Sequence, residues 1–220
     1  MLTYAIGDVH GCFDKLVRLL GRCRLHCAAR TMRLVFVGDY IDRGPQSRRV
    51  VELLIDTQRA APDLVVCLRG NHEAMVLAAA AEESRAEALW LMNGAAETLL
   101  SYGVRRAADL PSAHLQWFRS LPLSYDDGRR YFVHAGVDPQ VALDRQSAHD
   151  QVWIRGPFLR HEGEYGRLIV HGHTPLETAR PDLRSNRLNV DTGAVFGGPL
   201  TAAVFDQAQD APVAFLTEMD

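Results

Sequence analysis

The chain has 220 residues, 47% of them hydrophobic, and its 24 basic residues nearly balance 27 acidic ones. That is enough apolar material for one domain with a sizeable core, expected here over residues 1–220. A formal net charge of −3 argues against a general nucleic-acid or membrane-surface binder, and composition leaves the oligomeric state open. The opening stretch MLTYAIGDVHG has no basic segment before its apolar residues, so no signal peptide is expected and the cytoplasm is the expected compartment. The longest apolar run, Met75 to Ala81, is far too short to span a bilayer. Cys12, Cys23, Cys27 and Cys67 lie in or beside apolar segments without a repeated Cys-x-x-Cys, which predicts buried thiols rather than a metal cluster.

In chain order, short apolar runs predict strands at Leu2–Ile6, Leu34–Val37, Leu64–Leu68, Tyr131–Val133, Leu168–Val170, Leu188–Val190 and Leu200–Phe205. Helical periodicity lies between the early ones, at Phe13–Leu20 and Ser47–Gln58, and again at Ala86–Tyr102 and Ser112–Leu121. Asp127-Gly128 marks a hairpin turn into the Tyr131 strand. The first half is therefore βαβαβ and the second half richer in strands, an α/β protein whose chemistry belongs on loops at strand ends.

One event recurs at those ends. The first strand runs into Gly7-Asp8-Val9-His10-Gly11, the second into Gly38-Asp39-Tyr40-Ile41-Asp42-Arg43-Gly44, and the third into Gly70-Asn71-His72-Glu73. Later strands deliver His134-Ala135-Gly136 and His171-Gly172-His173-Thr174. Carboxylate oxygen, amide oxygen and imidazole nitrogen, without thiolate, are ligands for hard or borderline cations. Asp8 and His10 are two residues apart, so on an extended segment both point to one side. Adjacent glycines permit sharp turns and a close approach of backbone to ligand. A carboxylate such as Asp39 can bridge two cations roughly 3.5–4 Å apart, the spacing used in phosphoryl chemistry.

This set of motifs, with the tail Asn189–Leu200 (NVDTGAVFGGPL), resembles the metallophosphoesterase family, most closely its phosphoprotein-phosphatase branch with the bacterial and phage serine/threonine phosphatases. The resemblance implies a calcineurin-like fold, a central β-sandwich flanked by helices, with a dinuclear site at one end. It implies that Asp8, His10 and Asp39 hold the first metal, and that Asp39, Asn71, His134 and His173 hold the second. The metals would be Mn²⁺, with Fe, Zn, Ni or Co as alternatives. Many relatives end in Gly-His-x-His; here that last place is Pro175, which fits the protein-phosphatase branch better than the phosphodiesterase branches. His171 reads as a supporting residue.

Under the same resemblance, a hydroxide bridging the two cations attacks phosphorus in line. His72 acts as the general acid toward the leaving group, with Asp42 as its carboxylate partner. Arg43 is the first candidate phosphate clamp and Arg155, in QVWIRGPF, the second. Glu73 reads as a charge at a helix N-terminus. His26, His114, His149 and His161 read as surface histidines, and Trp90, Trp117 and Trp153 as core. Asp191-Thr192-Gly193 matches the aspartic-protease tripeptide, but those enzymes need two such aspartates sharing a proton; here Asp191 is expected to end a strand and support the site. The expected activity is hydrolysis of phosphomonoesters, phosphoserine and phosphothreonine in proteins above all. A dinucleoside-polyphosphate hydrolase, a less specific phosphodiesterase or nuclease, and a non-catalytic module on the same fold are the alternatives.

Overall fold

In the computed structural model, which describes every residue except Ser84 and Asp220, the first strand, β1 (Leu2–Ile6), is buried along its whole length. It pairs in parallel with β2 (Met32–Phe36), and β2 with β3 (Val65–Cys67). The crossovers are α1 (Phe13–Cys27) and α2 (Ser47–Ala60). Side-chain alternation then divides the strand. Tyr4, Ile6, Leu34 and Phe36 pack with Leu16, Leu19, Val50 and Leu54 of the two helices. Ala5 and Val35 point the other way, into a second apolar layer.

After α3 (Asn71–Ala80) come α4 (Ala86–Met92), α5 (Ala95–Tyr102) and α6 (Ser112–Ser120). The second sheet begins with β4 (Ser124–Asp126) and β5 (Arg130–Val133), joined as an antiparallel hairpin across the expected Asp127-Gly128 turn. Two short helices follow, α7 (Ala148–Trp153) and α8 (Gly156–Leu159). Then come β6 (Leu168–His171), β7 (Asp182–Leu183) and β8 (Arg187–Asn189). Finally β9 (Leu200–Phe205) returns beside β1, with β10 (Ala214–Glu218) outside it. The sheet orders are β10-β9-β1-β2-β3 and β4-β5-β6-β8-β7. They meet through Ala5, Val35, Val37 and Ala203 on one side and Phe132, Val170, Leu188 and Val190 on the other. This is the mixed α/β sandwich flanked by helices that the motifs imply. Each such buried Val, Leu or Phe contributes about 1.5–3 kcal/mol.

The helix expected over Ala86–Tyr102 is in fact two. Asn93-Gly94 separates α4 from α5, with Gly94 at φ +97, and the Gly94 carbonyl accepts the Arg43 N–H at 2.9 Å. A continuous helix would have kept that carbonyl for itself. Helix α3 starts where Glu73 implies a helix N-terminus, but its Met75–Ala80 stretch is apolar nearly all round and carries no amphipathic stripe that would give its extent in sequence. No disulfide joins the cysteines, of which Cys23, Cys27 and Cys67 are buried. Among the described residues no helix is long and apolar enough to cross a membrane.

Candidate metal centre

The strands β1, β2 and β3 of one sheet and β5 and β6 of the other end at a shared edge of the sandwich, and the loops that leave them are laced together. The Val9 and His10 N–H groups donate to the Asp39 carbonyl at 3.0 and 2.9 Å, and the Gly172 N–H to the His134 carbonyl at 2.8 Å. The backbone here is strained. His10, Asp39, Asp42, Arg43 and His173 all have φ between +43 and +73, a region that costs a non-glycine residue about 1 kcal/mol or more. Glycine is required where the loops touch. A Cβ on Gly172 would run into the Asp8 carboxylate, and one on Gly38 (φ +113) would lie 2.8 Å from the His134 ring and the Gly70 backbone.

Two buried groups of donor atoms result, His10–Asp39–His72 and Asp39–His134–His173, each with its atoms within 4.8 Å of one another. Asp39 belongs to both. Its Oδ2 lies 3.5 Å from His10 Nε2, 3.4 Å from His134 Nε2 and 3.9 Å from His72 Nε2. The rings are aimed by the backbone: His10 Nδ1 meets the Ile41 carbonyl at 2.8 Å and His134 Nδ1 the Val37 carbonyl at 3.0 Å. Carbonyls only accept, so in both rings Nδ1 carries a proton, and in its neutral form each ring turns an Nε2 lone pair to the centre. The His134 lone pair there faces Asn71 Oδ1 at 2.8 Å as well as Asp39. Acceptors converging on acceptors repel unless a proton or a cation lies between them. The donor set therefore fits divalent cations, with Asp39 shared by the two donor groups.

The charges are mutually dependent. Burial alone would raise the Asp39 carboxyl, yet His134, His72 and His10 hold it well below the usual range. Burial lowers His134, but Asp39 and Glu73 leave it net raised. Burial, then the neighbouring His134, drives His173 down to about 2. Burial, with His72 next, takes His10 to about 3. Those two rings stay neutral and available as ligands. Asp8 is pushed well above its ordinary value by burial, with Asp191 and Asp39 adding repulsion, the condition a bound cation relieves.

Residues 1–202 match the family described as Calcineurin-like phosphoesterase. The chain belongs to that family. Over 209 residues it is 35% identical to "Serine/threonine-protein phosphatase 1" of Salmonella typhimurium, covering 91% of this chain and 90% of that one. It is 33% identical over 165 residues to the symmetrical bis(5'-nucleosyl)-tetraphosphatase of Dechloromonas aromatica, covering 73% and 54%. Among solved structures it superposes on a cold-active protein-tyrosine phosphatase of a psychrophilic Shewanella with a TM-score of 0.70 at 19% identity, over 99% of this chain and 80% of that one. That likeness is one of fold.

Within this phosphoesterase, His10, Asp39, His134 and His173 are brought together as donors. Asn71 bridges the last two, its Oδ1 lying 2.8 Å from His134 Nε2 and 2.9 Å from His173 Nδ1. Asp8 stands slightly apart. Its Oδ2 accepts the His173 N–H at 3.0 Å, and the third donor in the His10–Asp39 group is His72, not Asp8. Arg43 Nη1 reaches His10 Nε2 at 2.8 Å, and Arg155 Nε reaches His173 Nε2 at 3.1 Å. His72 Nδ1 lies 2.6 Å from Asp42 Oδ2.

Glu73 is the third residue of α3, where its charge was expected, but it does more than cap the helix. Its carboxylate accepts the N–H groups of Gly70, Asp39 and Tyr40 at 2.9–3.0 Å. It ties the loop after β2 to the loop after β3. His171 is fully buried with Nδ1 3.0 Å from the Gly172 carbonyl, a structural place. Asp191, also buried, accepts the Gly193 N–H at 3.1 Å. Two tryptophans read as core turn out to touch the site. Trp153 stands edge-on to His173 at 5.9 Å, and Trp90 donates to Asp42 at 2.8 Å. Of the histidines expected at the surface, His114 and His161 are half-buried; His114 Nδ1 lies 2.9 Å from the Tyr102 hydroxyl.

Proposed function

We propose that this phosphoesterase hydrolyses phosphomonoesters, acting on phosphoserine and phosphothreonine in proteins, with a pair of Mn²⁺ ions and a phosphoprotein as its partner. The observation that carries the reading is the placement of two guanidiniums, Arg43 beside His10 and Arg155 beside His173, one at each donor group. A terminal phosphate monoester carries two charges on its free oxygens, and two arginines flanking the centre complement the ones that face outward. A diester has one fewer charge and a second substituent in that space. Divalent cations, when bound, supply Lewis acidity and an acidified water as nucleophile. The chain's own residues do the rest. Arg43 and Arg155 orient phosphate, and His72, held by Asp42, presents its Nε2 to the leaving-group oxygen and protonates it.

A second reading, hydrolysis of dinucleoside tetraphosphates, is supported by the relatives that bear that name. The Salmonella protein phosphatase, matched over nine-tenths of both chains, favours the first. Rates of the Mn²⁺-loaded protein on phosphoserine peptides and on diadenosine tetraphosphate, measured side by side, test it. A higher kcat/KM on the peptides is expected. A clear preference for the dinucleotide overturns the protein-phosphatase reading.

A further inference from the structure

Asp42 is held by more than its histidine. Its Oδ2 accepts Trp90 Nε1–H at 2.8 Å beside His72 Nδ1 at 2.6 Å, and its Oδ1 accepts the Thr98 hydroxyl at 2.6 Å. The Asp42 N–H in turn lies 2.8 Å from Thr98 Oγ1 and 3.1 Å from Ser47 Oγ. Asp42, His72, Trp90 and Thr98 are all at 0% exposure. We propose that Trp90 and Thr98 are positioning residues for the hydrolytic step, acting on His72 through the Asp42 carboxylate. This rests on the reading above in which His72 protonates the leaving group.

The physical case begins with the cost of a buried carboxylate, which is tolerable only when its oxygens are met by donors. Three side-chain donors lie around this one, and together they set its plane as well as its place. Asp42 sits at φ +73, and the Thr98 oxygen accepts from its backbone while the Thr98 proton goes to its carboxylate. That closes a ring around the strained residue. With the carboxylate fixed, the direction of His72 Nδ1–H is fixed, and so is Nε2 at the opposite edge of the ring. That nitrogen is buried without a hydrogen-bond partner and lies on the Asp39 side, 3.9 Å from Oδ2. When the phosphorus–oxygen bond to the leaving group breaks, the proton on Nε2 passes to that oxygen. His72 is left neutral with Nδ1–H still on Asp42, and water supplies the oxygen that phosphorus gains.

Helices α4 and α5 then have a shared task. Trp90 comes from the first and Thr98 from the second, and Gly94 between them accepts the Arg43 N–H. The helix pair therefore grips the consecutive residues Asp42 and Arg43, one partner of the proton donor and one phosphate clamp. If Trp90 were only a space-filler, phenylalanine would serve at its position.

The test uses the Mn²⁺-loaded full chain with Trp90→Phe, Thr98→Val and Thr98→Ser. Phenyl phosphate is the substrate whose leaving group needs a proton, and p-nitrophenyl phosphate the one that hardly does. Removing a hydrogen bond to a buried charge should lower kcat on phenyl phosphate about 10- to 100-fold in Trp90→Phe and Thr98→Val. The loss on p-nitrophenyl phosphate should be only a few-fold, and Thr98→Ser should stay near wild type. Repeated in an Asp42→Asn background, the Trp90→Phe effect should disappear, because its path runs through that carboxylate. Equal losses on both esters, no loss, or an undiminished effect in Asp42→Asn overturns the proposal. Should Trp90→Phe fail to fold, the Thr98 pair decides by the same criteria. Failure of the protein-phosphatase reading would show instead in the wild type's choice between phosphopeptide and dinucleotide, independently of these ratios.

Discussion

His72 Nδ1 and Asp42 Oδ2 lie 2.6 Å apart with both side chains fully buried. A carboxylate that close orients the ring through Nδ1, leaving Nε2 to face the centre. His72→Asn should therefore cost on the order of 10²–10⁴ in rate on alkyl phosphates, the usual scale for a lost general acid. The loss should shrink on p-nitrophenyl phosphate. Steady-state rates on the two substrates check this, and equal losses would assign His72 to binding or to metal organisation instead.

Metal removal should abolish hydrolysis. The acceptor-lined centre around Asp39, His134 and Asn71 calls for a cation, and Asp39 is common to both donor groups. Chelated protein should be inactive and regain activity with Mn²⁺. Asp39→Asn should lose nearly all activity and take up less metal per chain, read by elemental analysis. Full turnover after exhaustive chelation would rule out metal-dependent chemistry here.

Glu73 predicts a stability effect. Its two oxygens accept three backbone N–H groups from two different loops. Glu73→Gln replaces one oxygen with a donor of the same size, which leaves at least one buried N–H unmet. The expected cost is about 1–3 kcal/mol, read as a lower urea midpoint. The amide oxygen can keep the Asp39 and Gly70 N–H groups, which share Oε2, so the released group is the Tyr40 N–H next to Asp39, and activity at limiting Mn²⁺ should fall further than at saturating Mn²⁺. An unchanged midpoint would mean that water meets the orphaned amides.

Much of the centre is legible in sequence because Asp8, His10, Asp39, Asn71, His134 and His173 each sit within four positions of the end of an apolar strand, at or near a glycine that the crowded loops require. Gly172 and Gly38 show the requirement directly, since a Cβ at either would strike Asp8 or His134. What stays hidden is what tertiary folding assembles. Trp90 and Thr98 lie 48 and 56 residues from Asp42, on helices whose apolar faces look like ordinary core, and nothing in their own neighbourhood marks the N–H or the hydroxyl as needed. Asp8 is tied across the sandwich in the same way, since its Oδ2 accepts the His173 N–H, which arrives from the other sheet. The break at Gly94 has a local signal in Asn93-Gly94, masked by helical periodicity on both sides.

The arginines carry the prediction about ester class. Arg43 Nη1 is 2.8 Å from His10 Nε2 and Arg155 Nε is 3.1 Å from His173 Nε2, so the two cations stand beside opposite donor groups. Arg155 is further fixed by a bond from its Nη2 to the His173 carbonyl at 3.3 Å. Arg43 is constrained from its backbone by Gly94 and lies with its guanidinium 5.5 Å from the Phe196 ring. Held this way, each loses little freedom when phosphate arrives, which is how preorganised charge lowers a barrier. Wild-type kcat/KM on p-nitrophenyl phosphate should exceed that on bis-p-nitrophenyl phosphate by orders of magnitude. Arg43→Ala and Arg155→Ala should each lower the monoester value by an amount equivalent to roughly 2–4 kcal/mol. The diester should suffer less, because it offers one fewer charged oxygen, and the preference should narrow. Comparable wild-type rates on the two esters would remove the basis for a monoesterase, and an unaffected Arg155→Ala would leave Arg43 as the sole clamp.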